Sequence, residues 1–66
     1  MADVVEVGDD VRRGRSGKTT WRVVGFIGMQ DSLYADLHKV NPDGSVSSYT
    51  RTSRLPADLT IVRKRS

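Results

Sequence analysis

The residues with the most chemical character are Gly14-Arg15-Ser16-Gly17-Lys18-Thr19, a stretch that ends as a phosphate-cradling loop ends. The full pattern of such a loop puts another glycine five residues before Gly17, and Arg12 stands there. It also needs a strand before it and a helix after it, so that helix amides point at phosphate. The chain continues instead as Thr20-Trp21-Arg22-Val23-Val24, a strand-like run, and 66 residues leave no room for a parallel sheet. Nucleotide hydrolysis is rejected on these grounds. There remains a basic, glycine-rich loop whose amides, with Arg15 and Lys18, suit a backbone phosphate.

His38 is the only histidine, and Asp36 lies two residues before it on the same face of a strand-like segment. Such a pair can act as a base and its orienter, with Ser48 or Thr50 as a cross-strand nucleophile. A flat exposed strand has no cavity to exclude water, so a solvated pair is the better reading. With no cysteine and one histidine, a zinc site would rest on carboxylates, a poor donor set. Asp9-Asp10 shows no metal-loop pattern and is expected to end a turn or to pair with Arg12 or Arg13. No catalytic constellation, cofactor or metal is expected.

The net charge is +3, but its layout says more than its sum. Residues 1–11 carry −4, residues 12–22 carry +5, residues 23–50 carry −2 and residues 51–66 carry +4. Two basic blocks therefore flank a mildly acidic middle. The bland reading is solubility; the sharper one is a polyanion partner. Apolar runs are short, Val23-Val24 being typical, which excludes a transmembrane helix and a signal-peptide core. A cytoplasmic protein that does not engage a membrane is expected.

The elements that must position these charges are short and β-branched, with almost no helical periodicity. Val11-Arg12-Arg13 reads as a first strand, and residues 14–18 as a surface loop. Thr19 to Ile27 is the longest strand, with Trp21, Val23, Gly25 and Ile27 on one face and Val24 and Phe26 on the other. Its central glycine suits a bend between packed layers. Residues 33–40 alternate, placing Leu33, Ala35 and Leu37 inward and Tyr34, Asp36 and His38 outward. Asn41-Pro42-Asp43-Gly44 is a turn signal with a mechanism: proline presets φ, and glycine accepts the left-handed conformation. If Asn41 pairs with Ser45, simple register puts Leu37 beside Tyr49 and Ala35 beside Arg51, turning Tyr49 partly inward. Ser45 to Thr52 returns, Pro56 breaks pairing within a 3₁₀ turn, and residues 59–63 form a last strand with Leu59 and Ile61 inward. The fold class expected is all-β, one small domain over 1–66, ordered from about 7 to 63 with frayed ends.

Val7-Gly8-Asp9-Asp10-Val11 at the start, Trp21-Arg22-Val23-Val24-Gly25 in the second strand, and Ser53-Arg54-Leu55 with Leu59-Thr60-Ile61-Val62 near the end resemble SH3-like small barrels. These are the SH3, Tudor and KOW-type modules. The resemblance covers most of residues 7–63. It implies a five-stranded barrel with a 3₁₀ turn before the last strand, and no particular activity. The Arg/Asp/Val/Gly bias is similar to short proteins of high-GC bacteria and their phages.

Trp21 and Phe26 are expected in the core, because so small a barrel needs its large side chains buried. Tyr34 is the aromatic expected outside, where it can stack on a base. One tyrosine cannot build a methyl-lysine cage, and no aromatic row for proline recognition is present. The function expected is a non-enzymatic module binding DNA or RNA through Arg12, Arg13, Arg15, Lys18, Tyr34, Arg51, Arg54, Arg63, Lys64 and Arg65. The alternative is a protein-interaction or assembly module. That version would self-associate through a strand edge, through a patch around Val40, Val46 and Met29, or through a strand added by Val4-Val5-Glu6-Val7.

Overall fold

A computed structural model describes residues 4–14 and 17–64. It contains five strands, β1 (Asp10–Arg13), β2 (Trp21–Met29), β3 (Ser32–Val40), β4 (Val46–Arg54) and β5 (Leu59–Arg63), with one 3₁₀ turn at Pro56–Asp58. All pairings are antiparallel, in the order β4-β3-β2-β1-β5. The all-β class, the strand count and the 3₁₀ turn agree with the sequence reading.

Connectivity forces this sheet to curl. Strands β4 and β5 are its two edges, and a flat five-stranded sheet would hold them about 19 Å apart. Only Leu55 to Asp58 join them, a link that reaches at most about 17 Å fully extended, and three of its residues are wound into the 3₁₀ turn. The edges are therefore drawn together, and the 3₁₀ turn packs back on β3. Inside the curl lie Val11, Trp21, Val23, Ala35 and Leu37, all buried, with Val5, Leu59 and Ile61 packed against them.

Two bulges correct the expected alternation. In β2, Val23 faces Leu37 but Gly25 already faces Asp36, so Val24 is an extra residue and the faces exchange beyond it. Phe26 then pairs with Ala35 on the inner side and Ile27 with Tyr34 on the outer side, the reverse of simple alternation. The core stops short of this region: Phe26 is 36% exposed, and Leu33 is exposed as well, so neither is the core residue the sequence predicts.

The second bulge lies in β4. The turn closes as expected, with Asn41 N–H donating to the Ser45 carbonyl at 2.8 Å and Gly44 at φ 90°. Val40 then pairs with Val46, yet His38 pairs with Arg51, so three extra residues of β4 are taken up between them. The Ser47 hydroxyl accepts the amides of Tyr49 at 3.2 Å and Thr50 at 3.0 Å, giving the displaced backbone local partners. As a result Leu37 pairs with Thr52 and Ala35 with Arg54, not with Tyr49 and Arg51, and Tyr49 is 93% exposed.

Residues 4–9 form no strand. Gly8 N–H donates to the Val23 carbonyl at 2.8 Å and Val23 N–H to the Asp9 carbonyl at 2.9 Å, so this stretch is used internally. Met29 sits at the opposite end of β2–β3 from Val40 and Val46, about 27 Å away along the strand, so the three share no patch.

Candidate functional site

Cross-strand partners project to the same face of a sheet. Arg63 stands opposite Asp10, Asp10 opposite Arg22, Arg22 opposite His38, and His38 opposite Arg51. One polar row thus crosses all five strands, about 19 Å long when followed around the curl of the sheet. It lies on the outer face, because the chain neighbours Val11, Trp21, Val23 and Leu37 are buried in the core. Arg12, two residues beyond Asp10 and opposite Thr60, extends the same face.

Asp10 is nearly buried, and its carboxylate accepts a forked contact from Arg22, Nε to Oδ1 and Nη2 to Oδ2, the latter at 3.4 Å. The bond to Asp10 raises the Arg22 pKa above its ordinary value, although partial burial works against this. Much of the Arg22 charge is therefore answered in place. Arg12, Lys18, Arg51 and Arg63 have no ion pair among the described residues. The excess charge of the face belongs to these four, with Lys39, also without an ion pair among the described residues, adding one more beside them.

At one end the row runs into a groove of about 540 Å³, lined by Asp10, Lys18, Arg22, Lys39 and Arg63 together with the Asn41–Gly44 turn. That turn is held by Asp43, whose Oδ1 accepts the Ser45 hydroxyl at 2.6 Å and the Ser45 amide at 2.9 Å. These bonds favour the ionised carboxylate and lower the Asp43 pKa.

The other predicted residues fall elsewhere. Arg13 faces Leu59 and lines a separate hollow with Gly17, Lys18, Thr19 and Trp21. A Cβ on Gly17 would lie 2.6 Å from the Arg13 carbonyl oxygen. The glycine of the phosphate-loop-like stretch is thus required by backbone packing. Arg54 faces Ala35, and its Nη1 donates to Thr52 Oγ1 at 3.1 Å and to the Ser53 carbonyl at 2.9 Å.

Lys64 is engaged inside the molecule. Its ammonium donates to Asp9 Oδ2 at 2.8 Å, to Glu6 Oε1 at 3.2 Å and to the Val4 carbonyl at 2.7 Å. Asp9, then Glu6, raise its pKa against desolvation. Asp9 is fully buried and also accepts the Glu6 amide at 2.8 Å. Asp9 does help close a turn as expected, but the acidic pair is answered by Lys64 and Arg22, not by Arg12 or Arg13. The neighbouring arginines lie along the strand, whereas Arg22 and Lys64 lie across from the carboxylates. Arg15 and Arg65 lie outside the described residues.

Tyr34 is half-buried on the outer face opposite Ile27, about 14 Å along β3 from His38. Asp36 faces Ser53 and His38 faces Arg51, while Ser48 and Thr50 fall in the bulged segment and stand opposite neither. Among the described residues no group of three or more His, Asp and Glu side chains is placed to hold a metal. No helix among them is long and apolar enough to cross a membrane.

Sequence reasoning missed Asp10, Arg22 and Lys39 as contributors, because it sought bases in loops. The signal was present: Arg22 lies between inward Trp21 and Val23, which assigns it to the outer face by parity. A comparison with protein-family models, with curated proteins and with solved structures finds no match.

Proposed function

We propose that the protein is a small non-enzymatic module, an SH3-like barrel, that holds a nucleic acid by its phosphates across the outer face. The observation that carries this reading is the union of the two basic blocks: Arg12 and Lys18 from the first lie on the same side as Arg51 and Arg63 from the second. The curl of the sheet supports it, because β5 is returned to β1 and its arginine to the row. The groove between Lys18, Arg22, Lys39 and Arg63 offers a concave seat for a phosphate; His38 supplies polar surface in the adjoining row, and Tyr34 supplies aromatic surface about 14 Å farther along β3. Arg54 and Lys64 are assigned to internal bonding, and exposed Arg13, opposite Leu59, lies off the row.

Such binding releases counterions. Affinity should fall with salt by a slope of about −0.9 per duplex phosphate neutralised, or about −0.7 on a single strand. The test is electrophoretic mobility of mixed-sequence DNA and RNA at low and high salt. Affinity that does not change with salt overturns the proposal.

A second reading, protein interaction, draws on the far end of the β2–β3 hairpin, where Phe26, Ile27, Met29 and Leu33 are all exposed. Light scattering over a concentration series tests its self-associating form. A concentration-independent monomer removes that form.

A further inference from the structure

We infer that the nucleic acid held by this face is single-stranded and that Tyr49 stacks on one of its bases, an inference that rests on the proposed phosphate-binding role of the face. Tyr49 is 93% exposed in a chain with four aromatic residues, of which Trp21 alone belongs to the buried core. A core this small would gain from burying the phenol ring, so its outward placement forgoes stability. The placement is also built. The three-residue register change in β4 pushes this segment out of the ladder, and the Ser47 hydroxyl ties down the amides of Tyr49 and Thr50. The ring therefore stands on an anchored backbone.

Position supplies the second argument. Tyr49 precedes by two residues Arg51, the end of the polar row on β4. A chain whose phosphates contact Arg63 and Arg51 across the sheet arrives beside this ring. Arginine–phosphate contacts serve duplex and single strand alike, whereas an aromatic platform does not. Bases inside a duplex are stacked on one another and leave no face free; an unpaired base has one to offer. Tyr34, half-buried on the outer face, offers less of its ring than Tyr49 does.

The test is fluorescence anisotropy with three labelled probes: a short oligothymidylate, a short oligouridylate and a blunt duplex of mixed sequence. The proteins are the natural chain, Tyr49→Ala and Tyr49→Phe, with circular dichroism to show that each is folded. Tyr49→Ala should weaken binding to at least one single-stranded probe by about tenfold and leave the duplex within about twofold, while Tyr49→Phe keeps the ring and the affinity. Equal losses on duplex and single strands, no loss on any probe, or natural-chain binding to the duplex alone overturns the inference and leaves the basic-face reading standing. If the natural chain binds none of the probes, the reading of the face falls and the inference with it.

Discussion

Asp9 and Lys64 show how one predicted ligand for phosphate is taken up by the fold. The carboxylate is fully buried at the closed end of the N-terminal turn, and the ammonium reaches it from beyond the last strand. Removing Lys64 takes a charged partner from a fully buried carboxylate, so Lys64→Met should lower the urea midpoint at neutral pH, while Arg12→Met, which breaks no ion pair among the described residues, should not. The pH dependence has a defined sign. The Lys64 pKa is raised above its ordinary 10.5, so the pair contributes in full below pH 10.5 and its contribution is lost as pH climbs through the raised value. The natural chain should therefore lose stability above pH 10.5 more steeply than Lys64→Met; parallel profiles would refute the coupling. Asp43 runs the other way. Its pKa is lowered below 3.8, so its bonds to Ser45 stabilise above that value and fade as pH falls through the lower one. Gly17→Ala drives a methyl into the Arg13 backbone, an overpacking that costs about 1–3 kcal/mol, whereas Gly28→Ala meets nothing within 4 Å and should cost less than about 0.5 kcal/mol. Thermal melts of the two variants decide it.

Strands were legible from composition and turn chemistry, but their registers were not. Residues 59–63 and the Asn41–Gly44 turn obey local rules, since β-branched residues fit a pleated surface and Pro-Asp-Gly suits only a few backbone shapes. The β4 bulge obeys no such rule. Ser45-Val46-Ser47-Ser48-Tyr49-Thr50 alternates acceptably in simple register; the shift depends on which residues meet Leu37 and Ala35 across the sheet, and Thr52 and Arg54 do so. The β2 bulge at Val24 is similarly set by the curl, which needs a kink where the strand bends; it turns Phe26 to the inner side opposite Ala35, yet the core ends before it reaches that ring. The same limit blurred the candidate site: parity identifies outward residues within a strand, but the row from Arg63 to Arg51 exists only once the strand registers are known. The β4 bulge also has a protective role at the edge, since an interrupted ladder is a poor template for a second copy. If Ser47 secures it, Ser47→Ala should leave two amides short of an acceptor and speed hydrogen exchange at Tyr49 and Thr50, with β3 amides unaffected. Unchanged exchange at those two positions would show the bulge to be held by pairing alone.

Across the molecule, the core residues buried among the described ones number five, so each carries a large share of the stability. Leu37, with no exposed surface, is the largest of the fully buried side chains, and Leu37→Ala should cost about 2–5 kcal/mol, enough to unfold much of a domain this small at about 37 °C. That fragility explains why function is better tested on the surface, where charges change without disturbing the core. The basic residues divide by face: Arg51 stands in the outer row opposite His38, and Arg54, three residues on, stands opposite buried Ala35. Net charge is the same in Arg51→Ala and Arg54→Ala, so a partner attracted only by overall charge would respond to both alike. A partner seated on the outer face would not. For it, Arg51→Ala should weaken binding across all sequences and reduce the magnitude of the salt slope by about 1, the signature of one lost phosphate contact. Arg54→Ala should leave the slope unchanged. Titrations of both variants against one oligonucleotide over a range of salt concentrations separate the cases, and equal slopes would mean that the charge is read by its sum and not by the row that the curled sheet assembles.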